Sequence, residues 1–410
     1  MSREEPVIAI SGVTLTGNMG GVAMLRTAVA QMSRLVPGAS FRLLSISPGN
    51  DLRAAQLPRV EVVPARAMKL IGIYMPLSIV AWPLMRLQAV RKALCVIPYF
   101  RALDQADIVV DLCGIAFVDR RGLPLLAYNV ACCLPAIVMG TPIAKLSQAL
   151  GPFETRLNRV IARFVLTRCG LIVARGARSR RHLEALGFSN PRMLPDVTFA
   201  MEITDEDRLA ARARLRESGI GPAPVVVSPS EAVNRLCARA GIDFEAEFAR
   251  FLARLAAAGY QVLLLPHSLA RDRSKNNDVE LCRRLRARAD TEGRVHLLEA
   301  ESPELLRAII GEAVIFVGCR FHSVVGALAT GVPALIIGWS HKYQEMAAAL
   351  GADGHAMDWR EFSAERAMRS FESLIAERDA VRETILGRMP EIRAAAARNF
   401  ELAAELIGDK

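Results

Sequence analysis

The feature that most constrains this chain is the repeated alternation of short, uninterrupted Val/Ile/Leu runs with helix-length segments. A run without polar alternation presents apolar side chains to both faces once extended, so it suits a strand covered on both sides, as in a parallel sheet. In the first half such runs occur at Val7 to Ser11, Phe41 to Ile46, Val60 to Val63, Ile108 to Leu112, Ile143 to Ser147 and Leu171 to Val173. A second series occupies Val225 to Val227, Val262 to Leu265, Val295 to Leu298, Val314 to Val317 and Pro333 to Ile337. Between Thr198 and Pro224 the pattern lapses into a charged helical stretch, Asp205 to Glu217, and then a Gly/Pro-rich run, which marks a domain boundary. A chain of 410 residues also exceeds what one core usually serves. The expected fold is therefore α/β, with two Rossmann-like domains facing a cleft. They span residues 1–200 and 223–385, joined by a linker over 201–222, and a C-terminal helix over 386–410 packs back across both.

Composition narrows the function classes. Hydrophobic residues make up 52% and charged residues 23%, the balance of a folded globular protein. The net charge of +10 comes without a Lys/Arg run interleaved with exposed aromatics, which argues against nucleic acid and for an anionic ligand or an anionic membrane surface. The eight cysteines mostly lie inside apolar runs and show no C-x-x-C spacing, the pattern of reduced core thiols. The opening Met-Ser-Arg-Glu-Glu-Pro lacks the basic and apolar regions of a signal peptide, so the expected location is cytoplasmic. Leu70 to Met85 is uncharged, but at 16 residues with Pro76 and Pro83 it is too short and too broken to span a bilayer. It reads either as a buried helix pair or as a peripheral membrane contact, on the inner face.

Several segments at predicted strand ends could carry chemistry. Thr16 to Gly21, with Asn18 and Gly20, links the first strand to the first helix, where the glycines permit close backbone approach and the helix N-terminus offers free N–H groups to an anion or a sugar hydroxyl. A plain tight turn is the alternative. Asp111 ends its strand, where a carboxylate can orient or deprotonate a hydroxyl, or else cap the next helix. Arg175 follows Leu171 to Ala174, where a guanidinium can pair bidentately with carboxylate or phosphate. His267 follows the most apolar strand of the second half. The sharpest segment is Val314 to Ser323: a strand delivers Arg320 and His322, two residues apart, to a helix start, with Ser323 beside them. Lys342 adds a basic group after the next strand.

This order of motifs resembles the polysaccharide pyruvyl transferase family, whose members have a GT-B-like pair of Rossmann-type domains. Arg320-Phe321-His322-Ser323 with Ala327-Leu328 and Gly331-x-Pro333 is similar to the family's R-x-H-S block, and Pro195-Asp196 to its recurrent Pro-Asp step. Where the family commonly reads N-x-G-D-E this chain has Gly21 and Val22 in place of the acids, and Arg175 is followed by Gly176 instead of Asp. The resemblance implies transfer of a pyruvyl group from phosphoenolpyruvate to two hydroxyls of a glycan or lipid-linked saccharide, giving a cyclic ketal and phosphate, with the first domain on the acceptor side and the second on the donor side. It implies His322 and Arg320 as catalytic; Arg175, His267, Ser323 and Lys342 as donor-binding; and Asn18, Gly20 and Asp111 as acceptor-binding. No metal or other cofactor is expected, since cationic side chains can neutralise the donor and no carboxylate cluster is visible. Two competing readings stay open: a glycosyltransferase or epimerase using a nucleotide sugar, with Glu345 on the ribose, and a non-catalytic binding protein of the same fold. Oligomeric state is not legible in the sequence.

Overall fold

The computed structural model of the chain describes residues 5–54, 57–119, 121–269, 276–289, 293–338 and 341–408. It divides into two compact units: Met1–Thr16 with Met24–Ala200 and Ala394–Lys410, and Gly17–Ala23 with Met201–Arg393. Seven residues of the first loop and helix thus belong with the second unit, and the end of the last helix belongs with the first.

The first unit is built on a parallel sheet of eight strands, β1 (Val7–Ser11), β2 (Ser40–Ser45), β3 (Val60–Pro64), β4 (Ile108–Asp111), β5 (Ile115–Ala116), β6 (Ile143–Leu150), β7 (Leu171–Ala174) and β8 (Arg192–Met193). Its order is β3-β2-β1-β4-β6-β7-β8, with β5 beside the end of β6. The second unit carries β9 (Val225–Ser228), β10 (Val262–Leu264), β11 (Val295–Leu297), β12 (Ile315–Gly318), β13 (Ala334–Gly338) and β14 (Ala356–Asp358), in the order β11-β10-β9-β12-β13-β14. That is the doubly wound order, in which the chain runs outward from the first strand one way and then returns to its other side. Val225, Val226 and Val227 are fully buried, as a strand covered by helices on both faces must be.

Local signals account for some of the helix starts. Thr204 closes a reciprocal capping box with Asp207 at the charged helix Asp205–Glu217, and Ser302 accepts from the Leu305 N–H ahead of Pro303–Gly311. Three elements depart from the sequence expectation. β14 follows the strand that was to complete the second sheet; Ala-Met-Asp is too short and too weakly apolar to announce an edge strand. The last helix begins at Arg378 and runs to Gly408, enclosing Pro390. Leu70 to Met85 is not broken, and only one face of it is buried: Ala67–Leu84 is continuously helical, long and apolar enough by length and composition to cross a membrane, and 22% of it is buried. A π turn over Leu70–Tyr74 precedes Pro76 and a 3₁₀ turn holds Pro83, rerouting the hydrogen bonds that the prolines cannot make.

At the centre of the first sheet, Asp111 and Lys145 face each other in the register of β4 and β6. Both are buried, and the Lys145 ammonium donates to Asp111 Oδ2. Burial alone would lower the lysine pKa, but the Asp111 charge holds it well above the usual value. Deleting one partner of a buried pair strands the other charge, so Lys145→Ala is expected to cost about 3–5 kcal/mol in a denaturant titration, and Lys145→Met with Asp111→Leu should recover most of it. A single Lys145→Ala change that leaves stability intact would contradict this placement.

Candidate functional site

In the second unit the polar groups gather where β9 and β12 lie side by side, at their carboxyl ends, the point where the strand order reverses. β12 runs out at Gly318, and Arg320 occupies the N-cap position of the helix Phe321–Ala329. Its guanidinium is held in one plane: Nε donates to Asp278 Oδ2 at 2.9 Å, while Nη2 donates to Asp278 Oδ1 at 2.5 Å and Asn276 Oδ1 at 2.8 Å. Asp278 is fully buried and also accepts the backbone N–H groups of Glu231 and Ser268, at 3.0 and 2.9 Å. The carboxylate is thus satisfied on both oxygens, the condition under which a buried ion pair is tolerated. Tyr343, itself buried, donates its hydroxyl to the Cys319 carbonyl at 3.0 Å and fixes the turn just before Arg320.

His267 lies at the carboxyl end of β10, 4% exposed, and among the described residues neither ring nitrogen has a hydrogen-bond partner. Burial pushes its pKa well below the ordinary histidine value, and the neighbouring His322, Arg320 and Arg307 push it the same way. The imidazole is therefore neutral at physiological pH. The hydroxyls of Ser228 and Ser230, at the end of β9, are also buried without partners among the described residues. Unsatisfied buried polar atoms are uncommon in native proteins and call for an explanation, of which a polar ligand is one.

The loop ahead of the first helix closes this cluster. The Met19 N–H donates to the His267 carbonyl at 3.1 Å, Leu269 N–H donates to the Gly17 carbonyl at 2.7 Å, and Asn18 pairs with Ser268 in an antiparallel bridge. Asn18 Oδ1 accepts the Gly20 N–H at 3.0 Å, which makes it the cap of the helix Met19–Leu35. Gly20 meets the His322 ring so closely that a Cβ there would stand 2.2 Å from Nδ1. The glycine is needed for that contact, whatever else the loop binds.

The structure therefore brings together Asn18, Gly20, His267, Arg320 and His322, all in the second unit. Ser323 is beside them, but its hydroxyl donates to the Arg320 carbonyl at 2.8 Å. The backbone of Lys342 opens the helix His341–Ala349, and its side chain lies outside the described residues. Arg175 and Asp111 belong to the first unit, and both are buried in internal pairs. Arg175 Nη1 donates to Asp196 Oδ2 at 2.5 Å and Nη2 to the Gly114 carbonyl at 2.7 Å. Asp111 splits its carboxylate between Lys145 and the Cys113 N–H instead of turning it outward. Sequence reasoning missed Asp278, Arg307, Ser228 and Ser230. Asp278 had one signal, an acid at a helix start, but the same residue there is usually just a helix-dipole partner.

Comparison with known proteins bears on what this cluster does. The family model for polysaccharide pyruvyl transferase matches residues 18–341. The amylovoran biosynthesis protein AmsJ of Erwinia amylovora is 23% identical over 262 residues, covering 62% of this chain and 62% of AmsJ. The chain thus spans under two thirds of the length of that relative. Among solved structures, UDP-GlcNAc 2-epimerase from Neisseria meningitidis superposes with a TM-score of 0.58 at 10% identity, covering 99% of this chain and 100% of the epimerase. The Rickettsia bellii UDP-N-acetylglucosamine 2-epimerase gives 0.57 at 13%, covering 99% and 98%. At such identities the likeness shows the fold alone: GT-B-like, with two parallel α/β sheets.

Two outcomes follow from this geometry. Asp278→Ala removes the acceptor of four hydrogen bonds and leaves the guanidinium unpaired, so it should destabilise the second unit by about 3–5 kcal/mol in chemical denaturation. Asp278→Asn keeps the shape and should lose less. His267 also sets a pH dependence. The unfolded chain protonates its histidine below about pH 6.5, whereas the folded chain resists, so stability present above that pH is lost as pH falls toward the depressed folded value. Melting temperature should drop on acidification, and His267→Gln should flatten that drop; an identical pH profile in the variant would contradict a buried neutral imidazole.

Proposed function

The chain belongs to the polysaccharide pyruvyl transferase family, and from that premise we propose that it transfers a pyruvyl group from phosphoenolpyruvate to a sugar of a polysaccharide or its lipid-linked precursor. The observation that carries the reading to this chain's own residues is the convergence of Arg320, His322, His267 and the Asn18–Gly20 loop in one cluster, inside the matched segment. Phosphoenolpyruvate carries a phosphate and a carboxylate, so it requires oriented N–H donors and positive charge close together. Arg320 brings a guanidinium to this cluster, and Arg307, whose Nη1 donates to the Met201 carbonyl at 3.2 Å, adds positive charge that His267 feels. The Arg320–Asp278 pair is neutral as a unit, so Arg320 contributes directed donors held rigidly more than net charge.

His322 has the position for proton transfer, at the second residue of its helix with its ring against Gly20. Protonation of the donor methylene leaves an oxocarbenium-like carbon, one sugar hydroxyl adds to it, the bond to the phosphate oxygen breaks, and a second hydroxyl closes the ketal. Of the two hydroxyl protons, one ends in the new methyl group and the other on phosphate. His322 as general acid/base serves the first transfer. His267, neutral and buried, is suited to donate or accept one hydrogen bond to the donor. Gly21 and Val22 replace the family's two acids, so this chain relies on other groups to handle the acceptor.

The test is phosphate release from phosphoenolpyruvate by the purified protein with a panel of glycans and lipid-linked saccharides, with the ketal confirmed by mass spectrometry. His322→Ala should keep the melting temperature and lose about 10²–10⁴-fold in kcat. Arg320→Ala also strands the buried Asp278 carboxylate, so it should both lower the melting temperature and raise KM for phosphoenolpyruvate. Wild-type turnover in His322→Ala would remove that residue from the chemistry, and a ketal formed from a donor other than phosphoenolpyruvate would overturn the donor assignment.

A further inference from the structure

The helix Ala67–Leu84 in the first unit has two apolar faces with opposite fates. Leu70, Tyr74, Ser78 and Ala81 are buried, and Tyr74 stacks on Tyr99 with ring centroids 4.5 Å apart. Ile73, Leu77, Val80 and Leu84 repeat at the same helical spacing on the flanking face and are exposed, Val80 by 71%. The amphipathic helix Arg156–Leu166 adds Leu157, Val160 and Phe164, likewise exposed and on one face. Trp82 joins the two, its ring 5.7 Å from that of Phe164, and the Arg168 guanidinium lies over Phe164 at 4.0 Å. An exposed apolar surface of this extent marks a contact with something that water does not replace.

The charge around it is one-sided. Residues 62–103 contain Arg66, Lys69, Arg86, Arg91, Lys92 and Arg101 and no Asp or Glu. Residues 155–169 contain Arg156, Arg159, Arg163 and Arg168, again with no acid. Ten of the 52 basic residues thus lie in these two stretches, and the other 42 are matched by the 42 acidic residues of the whole chain. These two stretches alone thus hold an excess of basic residues equal to the chain's net charge of +10, although Arg91 is paired with Asp104.

We propose that this face of the first unit docks onto an anionic phospholipid bilayer, with its apolar residues at the acyl boundary and its basic residues among the headgroups. The helix does not span, because its other face is committed to the core of the unit. Apolar side chains with a surrounding basic collar are the pattern of a helix lying in the interface, where burial and attraction to anionic lipid act together. A second copy of the chain fits less well, since a symmetric contact would set one basic collar against another. The inference does not rest on pyruvyl transfer, and its test reads no turnover.

The test is co-sedimentation of the full chain with phosphatidylcholine vesicles, with and without phosphatidylglycerol. The wild type should pellet with the phosphatidylglycerol vesicles and release at high salt, as screening predicts. Leu77→Glu with Val80→Glu, and separately Lys69→Glu with Lys92→Glu, should each weaken binding by about tenfold or more. Should the apolar variant misfold, Trp82 in the wild type offers a second reading: brominated lipid should quench its emission, and Trp82→Phe should remove that quenching. Absence of binding to phosphatidylglycerol vesicles, absence of Trp82 quenching, or a lipid-free dimer that Leu77→Glu with Val80→Glu dissociates would each overturn the proposal.

Discussion

The buried Asp278 carboxylate holds the second unit's polar cluster in place. It gathers the Glu231 N–H from the segment after β9, the Ser268 N–H from the segment after β10, and the guanidinium of Arg320 from the turn after β12. Three strand ends that are distant in sequence are tied to one charge. In a low-dielectric interior such a group is stable only when all its acceptors are used, and the resulting network resists small displacements. The position of His267, one residue before Ser268, and of the Asn18–Gly20 loop that pairs with it, follows from that tie.

The first unit uses the same device twice. Asp111 takes the Lys145 ammonium between neighbouring strands, and Arg175 takes the Asp196 carboxylate across 21 residues of sequence. Asp196 in turn accepts the N–H and hydroxyl of Thr198. The Pro195-Asp196 step that stood out in the sequence therefore supplies the buried carboxylate that pairs with Arg175. Each sheet thus carries buried charge at its carboxyl strand ends, where α/β folds place their ligands and where the cost of burial must be met by close pairing.

Much of the fold was legible because it depends on side-chain pattern alone. Eleven of the strands in the two sheets coincide with continuous apolar runs, and the caps at Ser302 and Thr204 are local hydrogen-bonding rules. The short β5, β8 and β14 carry too few apolar residues to register, and the Ala67–Leu84 helix looked broken because a proline's effect on a helix depends on whether the preceding turn can widen. At the site, Arg320, His322, His267, Asn18 and Gly20 were all readable as strand-end or loop residues. Asp278 was not, because an acid at a helix start looks the same whether it faces solvent or a buried guanidinium. Asp111 misled for the complementary reason: its strand-end position was right, but its direction was set by a lysine 34 residues away.

By itself the sequence determined the alternation of strands and helices, the two-sheet α/β class and the local caps, because these depend on neighbours within a few residues. It also carried the R-x-H-S block that led to the family. Only the tertiary structure decided which charges are spent on holding strand ends together, that the first loop belongs with the second unit, and that Gly20 exists to admit the His322 ring. The physical reason is range: a backbone propensity is felt along the chain, whereas the fate of a buried charge depends on which partner the fold brings to within 3 Å.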